Sequence, residues 1–235
     1  MPDNAAPLIL LTRPAAQAER FAKQCRAEFG DRVEILVTPM QEIVLLDLPA
    51  VPPGAGLIFT SENGVRAYQA GGGKAGLTAY CVGDRTARVA AEAGLNAQSA
   101  GGAAGELVAL IRGAAPDGPL IHLHGTHVRG GIAKQLCAAG FDVTGHVVYD
   151  QRSLPLDNSA LKALSGTQRV IVPLFSPRSA TLFAADLPAA SSPDLICISD
   201  ATRAALPAAL RQAAILADEP TGAAMLKALA RQLSP

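Results

Sequence analysis

A chain of 235 residues with 49% hydrophobic content can bury one large core or two small ones, and two small α/β domains fit it better. Its 20 basic and 20 acidic residues cancel, with seven basic and eight acidic ones between residues 39 and 148, so neither part carries a field that gathers nucleic acid or a membrane surface. An anionic ligand has to be met by placed donors, and with no basic apolar leader in MPDNAAPLILL and no apolar run of about 18 residues, a cytoplasmic protein is expected.

The first element is LILLTRP from Leu8, a short apolar strand that ends in Thr12 and Arg13 and leads into the helical AERFAKQC. From Val37 the chain is extended and apolar, then reaches a Pro/Gly cluster before Gly56, which reads as a crossover out of the first strand and helix. GLIFTSENGVR from Gly56 is a strand stopping at Ser61 and Asn63, and YCVGDRTARVAAEAG from Tyr80 is a strand, a turn at Asp84 to Thr86 and a helix. The segment AGELVALI closes this series as a helix. LIHLHGT from Leu120 opens a second series, with a turn at Thr126 to Arg129 and the helical GGIAKQLCAAG. TGHVVYDQRSLPL from Thr144 reads as the returning crossover. VIVPLFSPRSA from Val170, ICISDATRAALPAAL from Ile196 and AAMLKALA complete the chain, with turns at Ser176 to Ser179 and Asp200 to Thr202.

The two series match in order, roughly 110 to 120 residues apart, which is the mark of an internal duplication. Strand, turn and helix repeated in this way imply parallel sheets with helices on both faces. Ligands of such sheets sit beyond the carboxyl ends of the strands, where helix N-termini favour anions. The residues at those turns are hydroxyls, amides and arginines, suited to many weak bonds. A crossover leaving at residue 38 and returning at residue 149 makes residues 1–38 and 150–235 one discontinuous domain and residues 39–149 an inserted one.

Cys25, Cys81, Cys137 and Cys197 lie inside apolar runs and no CxxC occurs, so they read as small buried hydrophobes, neither disulfides nor zinc ligands. In HLHGTH, His122 and His124 share a strand face with His127 just beyond, the look of a metal site. No Asp or Glu completes a hydrolytic set there, and no metal is expected.

Taken together, LLTRP, IFTSENGV, VGDRTARVAAEAG, HGTHVRGGIAKQLCAAGFDV leading into VVYDQR, LFSPRSA and ISDATRAAL resemble the uroporphyrinogen-III synthase family, over nearly the whole chain. His124 stands where many relatives have Arg, and Ser199 where the second copy of VGDRT is expected to have Gly. The resemblance implies two flavodoxin-like parallel-sheet domains joined by a two-stranded β-ladder, one domain discontinuous, with the substrate bound between them. It implies a cytoplasmic, monomeric lyase of haem biosynthesis that uses no cofactor. Its substrate would be hydroxymethylbilane, a linear tetrapyrrole carrying eight carboxylates, closed to uroporphyrinogen III with inversion of the last ring and loss of water.

By the same resemblance Tyr149 matches the family's tyrosine on the return crossover and would give a proton or an oriented hydrogen bond to the leaving hydroxyl. Asp150, beside it on a strand, is expected to point to the opposite side. Thr86 and Thr202 stand where the family has threonines at helix N-termini, and Arg129 aligns with an arginine of the second-half turn. With Thr12, Arg13, Ser61, Asn63 and Ser176 they form the expected substrate-binding set, although helix capping alone would explain either threonine. A two-lobed small-anion-binding module without catalysis is the alternative, and it would need no chemical group in the hinge.

Overall fold

The computed structural model describes residues 5–127 and 131–233. The chain runs β1 (Leu8–Leu11), α1 (Ala15–Phe29), β2 (Glu34–Val37), β3 (Gln41–Leu45), β4 (Gly56–Phe59), α2 (Glu62–Ala70), β5 (Thr78–Cys81), α3 (Asp84–Glu92), β6 (Asn96–Ser99), α4 (Ala104–Ala114) and β7 (Leu120–Gly125). It continues through α5 (Ile132–Ala138), β8 (Val143–Ser153), α6 (Asn158–Leu164), β9 (Val170–Leu174), α7 (Pro177–Asp186), β10 (Asp194–Cys197), α8 (Asp200–Ala204), α9 (Ala208–Ala213), β11 (Ile215–Leu216) and α10 (Gly222–Leu233). None of the helices among the described residues is long and apolar enough to cross a membrane. Two compact units result: Met1–Glu42 with Arg152–Pro235, and Ile43–Gln151.

The unbroken apolar runs of the central strands follow from burial on both faces. In the first unit Leu8 and Leu10 of β1 pack with Val170 and Val172 of β9 under Phe183 of α7. The alternate residues Ile9 and Leu11 face Phe21 and Cys25 of α1 and Met225 and Leu229 of α10. The second unit divides the same way. Leu57, Phe59 and Leu123 lie under α2 and α3, and Ile58, Tyr80 and Leu120 under α4 and α5.

Strand order is β11-β10-β9-β1-β2 in one sheet and β3-β8-β7-β4-β5-β6 in the other. Matching β1 with β7, β2 with β8, and β9, β10 and β11 with β4, β5 and β6 makes the two orders the same, with β3 added at one edge. The duplication read in the sequence is therefore present in the topology, with a twist. Each sheet takes its β1-type and β2-type strands from one copy and the other three from the other copy. Each consequently has one point where the chain order reverses, between β1 and β9 and between β7 and β4, and both of these pairs are parallel.

The strands β3 and β8 carry the chain across the boundary between the units. Leu46 N–H donates to Val148 O and Leu154 N–H to Met40 O, each at 2.9 Å, the opposed directions of an antiparallel ladder. Against β7, β8 is parallel, with one irregularity. His124 pairs with Val147 but Gly125 pairs with Tyr149, so Val148 is an extra residue, a β-bulge. Val147 is exposed, and both Val148 and Tyr149 are buried.

One sequence expectation is corrected here. Cys25, Cys81 and Cys197 are buried, but Cys137 is exposed, because α5 turns Ile132 and Leu136 inward and residue 137 falls off that face; its thiol lies 3.6 Å from Val143 O. Burial pushes the Cys25 and Cys81 thiols up to about 12, which leaves them inert at neutral pH.

Candidate functional site

Helices α2 and α7 start in corresponding ways at the two reversal points. Ser61 caps α2, its hydroxyl accepting from Asn63 N–H at 3.2 Å. Ser176 caps α7 and accepts from Ser179 N–H at 3.0 Å. Such caps leave other first-turn N–H groups aimed past the strand ends, where a carboxylate is favoured. Gly64 brings α2 hard against β7, since a β-carbon there would lie 2.6 Å from Leu123 O.

In the second unit the aromatic ring of Tyr149 lies over Gly125, its partner in register on β7. A β-carbon on residue 125 would be 2.4 Å from Tyr149 Cε2, so only glycine leaves room for the ring. Burial pushes the phenol above its ordinary value of 10, while hydrogen bonds with the Ser61 side chain and the Gly125 backbone draw it partly back. The result is a phenol that keeps its proton at neutral pH and is tethered at the end of the sheet. Asn63 and Thr86 are buried at the starts of α2 and α3. Between those helices Glu62 is buried and accepts from Arg85 at 3.1 Å, with Arg66 at 3.7 Å. That pairing offsets a carboxylate which would otherwise repel an anionic ligand.

The other face of β7 carries His122 and His124, with ring centres 4.7 Å apart. Burial, with a smaller contribution from His124, pulls the His122 imidazole down to about 4, and its Nε2 lies 3.5 Å from Thr60 Oγ1. His124 Nδ1 is 2.8 Å from Gly125 O, while His127 is exposed. Among the described residues no three His, Cys, Asp or Glu side chains are grouped to hold a metal ion.

The first unit presents Thr12, buried to 1% exposure, with a hydroxyl that has no hydrogen-bond partner. Next to it the Arg13 guanidinium stacks over Phe175 at 4.0 Å. Gln41 Nε2 donates to Ser179 Oγ at 3.2 Å, and Ser179 Oγ is 2.8 Å from Ser176 Oγ, which ties the start of β3 to the start of α7. Thr202 is fully buried, its hydroxyl 3.1 Å from Ser199 Oγ. That serine caps α8, so where the first copy has Gly83 the second has a side chain that occupies the threonine.

Of the residues expected from sequence, Ser61 and Tyr149 come together in one unit, with Asn63 and Thr86 at neighbouring helix starts. Thr12, Arg13, Ser176 and Thr202 lie at strand ends of the other unit. Arg129 falls outside the described residues. Gly125 and Gln41 were missed. A glycine closing the apolar strand LIHLHG was the available signal for the first, and a glutamine entering a crossover offered none for the second.

The family model described as Uroporphyrinogen-III synthase HemD matches residues 19–227. A uroporphyrinogen-III synthetase structure from Helicobacter pylori superimposes with a TM-score of 0.65 at 19% identity, covering 97% of this chain and 100% of that one. A mutant uroporphyrinogen III synthase from the extremely thermophilic bacterium Thermus thermophilus gives 0.53 at 17% identity, over 96% and 98%. At these identities the two structures speak for the fold. No curated protein sequence matches the chain.

Proposed function

Because the chain belongs to the uroporphyrinogen-III synthase family, we propose that it closes hydroxymethylbilane to uroporphyrinogen III, inverting the last pyrrole ring and losing water, as a monomeric lyase of the cytoplasm. The observation that carries the residue-level reading is the buried, tethered phenol of Tyr149 seated on Gly125.

The bond to break joins the hydroxymethyl carbon to its oxygen. Electrons from the adjacent pyrrole nitrogen push the oxygen out, and Tyr149 gives it a proton so that it leaves as water. Hydroxide is far more basic than a phenolate, so a phenol held above its ordinary value is still acid enough to help. The azafulvene left behind is attacked by the substituted carbon of the last ring, giving a spiro intermediate. Its fragmentation and reclosure invert that ring, and the ring proton finally lost balances the one Tyr149 supplied. This route calls for no cofactor.

The carboxylates are taken by the turns. Ser61, Asn63 and Thr86 serve in one unit and Thr12, Arg13, Ser176 and Thr202 in the other, with Arg129 added to them. The Thr12 hydroxyl, unpartnered in the protein, gains in a carboxylate the acceptor it lacks. Binding also has to hold the bilane in the conformation that inverts, since the free bilane closes without inversion.

Tyr149→Phe keeps the ring and removes the hydroxyl, so the fold is expected to survive while turnover drops roughly 10²-fold. Residual product is expected to remain mainly isomer III. Turnover of enzymatically generated hydroxymethylbilane, with the ratio of isomer III to isomer I, checks this. Unchanged turnover would remove the phenol from the mechanism.

A further inference from the structure

Tyr149 reaches its seat because of the extra residue at Val148. Up to His124 and Val147 the pairing of β7 with β8 is regular, and after the bulge Tyr149 is opposite Gly125. Without the insertion the residue opposite Gly125 would be Val148, and the phenol would be carried to the other face of the sheet. A parallel bulge is uncommon and needs something to hold it.

Thr126 grips β8 twice just beyond the irregularity. Its N–H donates to Tyr149 O at 3.1 Å, and its hydroxyl donates to Asp150 Oδ1 at 2.6 Å. The same carboxylate oxygen accepts from Gln151 N–H at 2.8 Å, so the Asp150 side chain is fixed to its own strand and presents a rigid acceptor. The hydroxyl-to-carboxylate bond is short and charge-assisted, the stronger class of hydrogen bond. Both contacts meet β8 at or next to the residue whose direction matters. Thr126 itself is exposed and belongs to none of the four hydrophobic clusters.

We propose that Thr126 is a positioning residue for the reaction: with Asp150 it locks the bulged register of β8 and thereby keeps the Tyr149 ring on Gly125. The inference rests on the reading of Tyr149 as proton donor. Thr126 contacts no reacting atom, and its effect passes through the tyrosine.

A double-mutant cycle tests it. Thr126→Val keeps the branched shape and removes the hydroxyl; it is expected to lower kcat about tenfold with KM little changed, since a misplaced donor costs rate more than binding. Thr126→Ser, which restores the hydroxyl, is expected to restore kcat. In a Tyr149→Phe background, Thr126→Val is expected to cost nothing further, because the group it positions is gone. Full turnover in Tyr149→Phe alone would overturn the donor reading and this inference with it. A slow Tyr149→Phe enzyme beside a fully active Thr126→Val enzyme, or an equal extra loss from Thr126→Val in the Phe background, would overturn this inference and leave the donor reading standing. If Thr126→Val fails to fold, Asp150→Asn carries the same cycle. It keeps the shape of the acceptor and removes its charge, with a smaller expected loss that again vanishes in the Phe background.

Discussion

Tyr149 and Gly125 face each other across the parallel pair of β7 and β8, and the tyrosine ring fills the space that any side chain on residue 125 would need. Gly125→Ala therefore forces the ring off its seat. The cost expected for such overpacking is about 1–3 kcal/mol of stability, with turnover falling toward that of Tyr149→Phe. Chemical denaturation and the turnover assay check the two halves separately, and an alanine enzyme unchanged in both would show that the ring has other room.

If Tyr149 is the proton donor, the same phenol is expected to set the alkaline limb of activity. Burial holds it above 10, so kcat is expected to stay level to pH 10 and fall only beyond it. The Ser61 bond favours the phenolate, so Ser61→Ala is expected to move that limb to still higher pH. The stability linked to this group has the same sense: the folded chain keeps the proton longer than the unfolded one, so its contribution is whole below pH 10 and is lost as pH rises through the folded value. A kcat profile from pH 7 upward for both enzymes decides the matter, and a limb moving downward in Ser61→Ala would contradict the assignment.

At the acid end the sensitive group is His122. Its folded value of about 4 lies below the ordinary 6.5, so the unfolded chain takes up a proton that the folded chain refuses. Stability is expected to be intact above pH 6.5 and to decline as pH falls toward 4, by about 3 kcal/mol in all. In His122→Gln this slope should flatten. Urea midpoints at pH 7, 5.5 and 4.5 for the two proteins measure it; parallel pH dependence would mean that other groups govern acid unfolding.

Thr12 offers a trade between stability and binding. Its buried hydroxyl has no partner, so Thr12→Val, nearly equal in shape, is expected to stabilise the chain by about 1 kcal/mol. If that hydroxyl serves a substrate carboxylate, KM rises at the same time, as is common where a functional group is kept at a cost. Thermal unfolding and substrate titration read the two effects. A destabilised valine variant would mean the hydroxyl has a partner after all.

Strands and helix starts were legible because fully buried parallel strands write themselves as apolar runs such as LILL and VIVPL, and because caps such as Ser61 and Ser176 end them with hydroxyls. The duplication was legible for the same reason. The bulge was not, since VVYDQR reads as plain strand and an inserted residue is a fact about pairing with β7, which no single strand records. The Thr126 to Asp150 bond depends on that bulge and was hidden with it. Cys137 was misread because the apolar run around it covers both faces of a helix that buries only Ile132 and Leu136. The exchange of strands between copies was equally out of reach, as the repeats look alike wherever their strands dock.

That exchange has a consequence for how the chain is made. During synthesis β4 to β8 emerge in one continuous stretch, so the six-stranded sheet has all its members, β3 included, once Ser153 has left the ribosome. The strands β1 and β2 were translated first, yet the neighbour that β1 requires, β9, begins only at Val170. The opening segment LILL thus has to wait, apolar and half-paired, while more than half the protein is built behind it. Closure over so long a loop is slow, and an unpaired apolar strand edge is exposed in the meantime. The strand β1 is accordingly among the last to be paired on both sides, and the period before it is paired is when a nascent chain is most exposed to aggregation.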